Sequence, residues 1–236
     1  MAEISVTLSA NAGVAIALGG RRIWVDALHT EKQSGFSAVA PALQSKMLRC
    51  DAFQDPSYIC TTHCHPDHHS HILMHAAKQL WPKAKLFLPE REFEDQVLVE
   101  GEVYTFSDDA LTMEFLRLPH EGAQYAHVKH YGLLLQWEGK RILIAGDCAT
   151  ASPALEQALQ GRQVDLAILD FPWVTLSKGR EFVKTILKPE HLFVCHVPFA
   201  EDDICGYRPA VQKSAQLLSN QMDIRVLWDP LQTEEI

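Results

Sequence analysis

The segment Thr61-Thr62-His63-Cys64-His65-Pro66-Asp67-His68-His69 places four imidazoles and a carboxylate within seven positions. Packing explains such density poorly, because imidazole and carboxylate gain nothing from an apolar interior unless something binds them. Together they suit zinc and, after it, manganese or iron. Their spacing divides them into two sets. His63 and His65 stand two apart, so on an extended backbone both leave by the same face. Pro66 ends strand pairing and suits a turn or a first helical position. Asp67 and His68 then fall at the start of an expected helix over 70–80, where adjacent side chains diverge by about 100°. One cation would take His63 and His65, and a second beside it Asp67 and His68. The bland alternative is an exposed histidine-rich turn. Strand entry, turn chemistry, helix exit and ligand type all agree against it.

The elements that must carry this loop follow from apolar patterning. Tyr58-Ile59-Cys60 reads as the end of a buried strand leading into it. Strands are expected at 4–8, 14–18 and 22–25, the last two joined by a Gly19-Gly20 hairpin, opening a mostly antiparallel sheet. Asp26 ends the third strand and reads as a structural hydrogen-bonding residue. Helical spacing covers 37–48. After the loop, His68, His71 and His75 fall at i, i+3 and i+7. The last two would either brace His68 from behind or simply be solvated. Further on, the pattern predicts a strand at 85–88, a helix at 90–97, a strand pair at 102–106 and 111–118 and a hairpin at 131–136 and 141–145. Helices at 154–159, 178–187 and 209–218 alternate with strands at 164–169, 192–195 and 224–228. No linker marks a boundary, so 1–236 reads as one domain with a faint twofold repetition.

Three later strand ends carry donors. Pro119-His120-Glu121-Gly122 closes one, with Gly122 freeing the backbone to turn; His127 and His130 are rivals of His120 in the same segment. Gly146-Asp147-Cys148 closes the next. Capping explains Asp147 poorly, because the following helix is expected to start near Ser152-Pro153. His196 follows the buried run 192–195. Asp170, at the end of another apolar run, either orients a ligand imidazole, meets the substrate or forms a turn before Phe171-Pro172.

His63-Cys64-His65-Pro66-Asp67-His68 resembles the H-x-H-x-D-H signature of the metallo-β-lactamase superfamily, in its dinuclear hydrolase branch. The later donor-bearing segments occur in the expected order, so the resemblance spans the chain. It implies an α/β fold, the four-layer αββα sandwich, and a two-metal centre. His63, His65 and His120 would hold the first ion, Asp67, His68 and His196 the second, with Asp147 bridging. The implied chemistry is attack by a hydroxide shared between the ions on an ester, lactone, thioester, amide or phosphodiester. Asp67 would also accept or orient a proton. His127, Tyr125 and Tyr207 are candidates for the leaving-group acid, and Arg208 for gripping a substrate anion. Resemblance to the glutathione-thioesterase and tRNA-processing members stops at the metals. The Asp-His-His second site also differs from the cysteine-containing arrangement of many β-lactam hydrolases. The alternative is a non-hydrolytic di-metal protein, either oxygen-handling with two irons or a metal-binding module. Oxygen-reducing members normally accompany a flavin domain and replace one histidine by a carboxylate, whereas this loop keeps histidine.

Composition narrows the partners. The 236 residues are 47% hydrophobic and 22% charged, ordinary for a folded soluble chain. The net charge of -9 argues against a nucleic-acid surface. A small anionic substrate stays open, because bound cations would make the cleft locally positive. The start Met1-Ala2-Glu3-Ile4 lacks the pattern of a signal peptide, and no run approaches the roughly 18 apolar residues of a membrane span. The six cysteines form no C-x-x-C pair, so a reducing cytoplasm is the expected setting. Cys64, Cys148 and Cys195 neighbour proposed ligands and are expected to point away as small buried hydrophobes.

Overall fold

A computed structural model describes residues 4–31 and 35–236. The chain divides into two compact units: Met1–Val99 with His196–Gly206 and Leu227–Ile236, and Glu100–Cys195 with Tyr207–Val226.

The first unit is built on a seven-stranded mixed sheet. Its strands are β1 (Ile4–Leu8), β2 (Val14–Leu18), β3 (Arg21–Val25), β4 (Tyr58–Cys60), β5 (Lys85–Leu88), β6 (Val97–Leu98) and β14 (Thr233–Glu235), in the order β14-β1-β2-β3-β4-β5-β6. The expected hairpin is present: Leu18 pairs with Arg21 across Gly19-Gly20, and Gly19 takes φ +57°. The sheet is less antiparallel than the sequence suggests, since β3, β4, β5 and β6 run parallel. Parallel strands end on one edge, which is why β3 and β4 deliver Asp26 and the histidine loop side by side. Two helices accompany this sheet, α1 (Pro41–Met47) and α2 (His71–Leu80). Trp24 of β3 is fully buried, with Phe53 and Trp81 against its ring at 5.7 and 4.9 Å and its indole N–H donating to the Ala52 carbonyl.

Three expected helices are corrected here. The helix at 37–48 is shorter, because Pro41 forces Ala40 into an extended conformation (ψ 159°) and the helix starts only at Pro41. The helix at 90–97 does not form. The Gln96 side chain takes the Glu92 and Phe93 amides at 2.7 Å each, donors that a helix would otherwise use, and donates to the Glu90 carbonyl. Finally, α2 begins at His71 with Ser70 as its cap, so Asp67 and His68 lie in a preceding turn and not on the helix.

The second unit holds β7 (Val103–Ser107), β8 (Leu111–Arg117), β9 (Tyr131–Trp137), β10 (Lys140–Ile144), β11 (Leu166–Asp170), β12 (His191–Cys195) and β13 (Asp223–Val226), ordered β13-β12-β11-β10-β9-β8-β7. β7 to β10 form an antiparallel meander, and β10 to β13 run parallel. Its helices are α3 (Pro153–Leu159), α4 (Pro172–Thr175), α5 (Ser177–Phe182) and α6 (Tyr207–Leu218). The single helix expected at 178–187 is broken: α5 continues as a wider π turn over Val183–Leu187. The β11 strand is buried at every position, as a central strand with both faces covered must be.

Candidate metal centre

Asp26 organises the first unit's site. It sits just past β3 with φ +52° and is almost wholly buried. One carboxylate oxygen accepts the Thr62 amide at 2.7 Å. The other accepts the Thr62 hydroxyl at 2.6 Å and His68 Nδ1 at 2.9 Å. With Nδ1 donating, His68 presents the lone pair of Nε2, which lies 3.2 Å from His196 Nε2. Because the Thr62 hydroxyl gives its proton to Asp26, its oxygen is left to accept from His63 Nδ1 at 3.0 Å. His63 Nε2 therefore also carries a lone pair, 3.0 Å from His65 Nδ1. One carboxylate thus fixes two imidazole tautomers, the arrangement that raises ligand basicity.

These separations fit a cation. Two nitrogens bound about 2.0–2.1 Å from one tetrahedral ion lie roughly 3.3 Å apart. Asp67 adds a carboxylate oxygen 3.7 Å from His196 Nε2, and the donor atoms of Asp67, His68 and His196 all lie within 4.8 Å of one another. All three residues are buried. Burying such groups without compensation costs several kcal/mol, which a bound divalent ion would offset.

The sequence reading passed over Asn11, which holds the His196 end, and His29. His196 has φ +58°, and its amide donates to the Asn11 carbonyl at 2.8 Å. Asn11, itself at φ +49°, pairs its side-chain amide with the backbone of Ser37 in both directions. Phe36 stands edge-on to the His196 ring at 4.5 Å. His29 is fully buried, with Nε2 donating to the Ala10 carbonyl and Nδ1 without a hydrogen-bond partner. Burial, reinforced by His68, pushes its pKa down to about 4. Asn11-Ala12-Gly13 carries a turn signal that could have marked the first of these. Nothing in the sequence marks His29.

In the second unit, His120 and Asp147 meet. A backbone bridge pairs His120 with Cys148; the Glu121 amide donates to the Asp147 carbonyl and the Ala149 amide to that of Pro119, both at 2.8 Å. His120 Nδ1 donates to the Glu121 carbonyl at 2.8 Å, which leaves Nε2 facing Asp147 at 3.6 Å. Gly122 at φ +93° and Gly146 at φ +56° make the two corners. Of the rivals, His127 is exposed, and His130 is buried against the Leu118 carbonyl. Tyr125 lies over the His120 ring at 4.7 Å, whereas Tyr207 packs on Phe171. Arg208, half-buried, follows Tyr207 on α6. Asp170 ends β11, buried.

Two of the three thiols are buried as expected. Cys148 and Cys195 are buried with Sγ against the Ala149 and Leu169 carbonyls, and burial raises the Cys148 thiol well above its usual range; Cys64 is half-buried. His71 and His75 do not brace His68. Asp26 does that, and the two α2 histidines turn instead toward Glu92.

No protein-family model matches the sequence, and no curated protein does. The chain nonetheless has the metallo-β-lactamase fold, of the α/β, αββα class, as its likeness to solved structures shows. Igni18, a metallo hydrolase from the archaeon Ignicoccus hospitalis, matches with a TM-score of 0.69 and 12% identity, over 99% of this chain and 98% of its own. The isothiocyanate hydrolase from Delia radicum gut bacteria matches at 0.69 and 16%, over 98% of both chains. CmlA, a diiron β-hydroxylase from Streptomyces venezuelae, matches at 0.69 and 14%, over 100% of this chain but 55% of its own. Among the described residues, no helix is long and apolar enough to cross a membrane.

Proposed function

We propose that the protein is a metal-dependent hydrolase with two divalent ions, zinc first, acting on a small ester, lactone or phosphodiester. Bound cations would make the cleft locally positive and so admit an anionic substrate. The observation that carries this reading is the Asp26 network, which aims the lone pairs of His63 and His68 at His65 and His196 beside the Asp67 carboxylate. Ligation asks for imidazoles held in this way, with lone pairs directed at neighbouring donors. When bound, divalent ions at such a site make water acidic near neutral pH and polarise a carbonyl or phosphoryl oxygen. Asp67 is placed to hold or take up a proton at its carboxylate. Asp26 keeps His68 from rotating, and the buried surroundings exclude bulk water. Residues 1–236 are read as one domain, with His120 and Asp147 joining the same centre. That part rests on the order of the donor-bearing segments along the chain. A cytoplasmic setting accords with six cysteines free of disulfides.

The test is metal content by mass spectrometry together with turnover of a generic lactone, a phosphodiester and an isothiocyanate. Hydrolysis that a chelator abolishes, and that Asp67→Ala lowers by about 10²–10³-fold, supports the reading. The likeness to CmlA favours a second one, a di-iron site handling oxygen. Stoichiometric iron with no turnover of any ester would select it.

A further inference from the structure

A second group of donors stands apart from the buried centre. His71 and His75 lie one turn apart on α2, on one face, with ring centroids 4.2 Å apart. Glu92 arrives from the segment after β5 with its side chain 10% exposed. One carboxylate oxygen is spoken for by His69 Nε2 at 2.8 Å. The other lies 2.7 Å from His71 Nδ1 yet has no hydrogen-bond partner, because the pair lacks the alignment of a hydrogen bond. A buried carboxylate oxygen without a donor costs a good deal to leave bare. A cation taken up between the two groups would meet that oxygen's need for a partner.

The carrier segment is built, not loose. Gln96 holds the Glu92 and Phe93 amides, Lys78 of α2 pairs with Asp95, and Phe93 packs against His75 at 4.5 Å with the Lys78 ammonium 5.1 Å over its ring. Glu92 is therefore presented to α2 in a fixed position. His71, with 65% of its side chain exposed, leaves room for water to complete a coordination shell.

We propose that His71, His75 and Glu92 form a second site for a divalent transition-metal cation of the zinc or nickel class, reachable from solvent and using none of the buried centre's ligands. One oxygen and two imidazole nitrogens, all within 4.8 Å of one another, match the donor preference of these ions, and an i, i+4 histidine pair on a helix presents two of them together. His69 is a positioning residue that holds the far carboxylate oxygen. The bound ion would tie the Glu92 segment to α2.

The experiment is equilibrium dialysis of the full-length protein against Zn²⁺, with metal per chain counted by mass spectrometry. It compares wild type, the His71→Ala/His75→Ala double variant and Glu92→Gln, which keeps the shape of the side chain. Each variant is expected to hold one equivalent fewer than wild type and to lose the extra rise in Tm that zinc gives wild type, with an unchanged circular dichroism spectrum. Equal zinc per chain in all three overturns the proposal. Ni²⁺ titrated into metal-free wild-type protein supplies a check that needs no variant. Paramagnetic broadening of the His71 and His75 imidazole signals supports the site, and broadening confined to other histidines refutes it. Neither outcome depends on whether the buried centre hydrolyses anything.

Discussion

In the first unit the His68 imidazole is oriented by a side chain, the Asp26 carboxylate, whereas in the second unit His120 is oriented by a main-chain carbonyl, that of its neighbour Glu121. Both devices fix a tautomer that keeps the proton on Nδ1 and the lone pair on Nε2. They differ in what can remove them. A carbonyl survives every substitution that keeps the backbone path, here pinned by the paired loop ends at 119–121 and 147–149. A carboxylate disappears with one codon. Asp26 also serves three donors at once, so the geometry of the first unit's site is concentrated in a single residue.

The largest expected effect follows directly. Asp26→Ala strips acceptors from the Thr62 amide, the Thr62 hydroxyl and His68 Nδ1 together. Metal affinity should fall about 10- to 100-fold, and metal-free stability by about 4 kcal/mol. Metal titration and urea melts read the two separately. If Asp26→Ala bound metal as tightly as wild type, the concentration of control in this residue would be wrong.

A second contrast is the response to acid. His29 is neutral in the folded first unit, with a pKa near 4, against an ordinary value of 6.5. Between those values the unfolded chain binds more protons, so stability is full above about pH 6.5, declines as pH falls and levels off below about pH 4. A shift of this size is worth about 3 kcal/mol. Urea midpoints taken across that window should drop steadily for the metal-free protein and flatten in His29→Gln. A wild-type curve already flat from pH 6.5 to 4 would contradict the buried, neutral imidazole.

Gly13 tests the same region by steric means. A Cβ placed there would lie 2.6 Å from the Asp26 carbonyl oxygen and 2.9 Å from the Ala27 Cα. Both are main-chain atoms that cannot swing aside. Gly13→Ala should cost about 2 kcal/mol and weaken metal binding by shifting Asp26. Thermal melts and zinc titration of that variant measure both; an unchanged Tm would show that the loop yields.

How legible this was in the sequence depended on what makes each element. Apolar strands ending in polar residues show themselves, so His63, His65, Asp67, His68, His120, Asp147 and His196 could be named as candidates, and the hairpins at Gly19-Gly20 and Glu138-Gly139 fall where expected. Side chains that replace backbone partners do not show themselves. Gln96 turns an apparently helical stretch into a loop, and His71 and His75 have the periodicity of a face shared with His68 only if the helix starts earlier than Ser70 allows. The edge strand β14 is polar, Thr233-Glu234-Glu235, and is made by main-chain pairing to β1. Hydrophobic pattern carries no trace of it. Asn11 and His29 act through loops whose contacts are distant in sequence.

The smallest effect sharpens the comparison from the second unit's side. Glu121, beside His120, accepts the Thr150 amide at 2.6 Å and lies 3.7 Å from the Lys178 ammonium. Burial opposes its charge, but the Thr150 hydrogen bonds and then Lys178 outweigh that and hold its carboxyl below the usual 4.5. Its contribution is therefore present above about pH 4.5 and is lost as pH falls through the lowered value. The side chain is 44% exposed, so solvent screens most of the charge, and Glu121→Gln should cost about 0.5 kcal/mol at neutral pH. The amide still accepts the Thr150 N–H, and the Glu121 carbonyl that orients His120 is untouched. Metal affinity should then stay within about twofold of wild type, against the 10- to 100-fold expected at Asp26. A loss at Glu121→Gln as large as that at Asp26→Ala would mean that side chains, not backbone, hold the second corner as well.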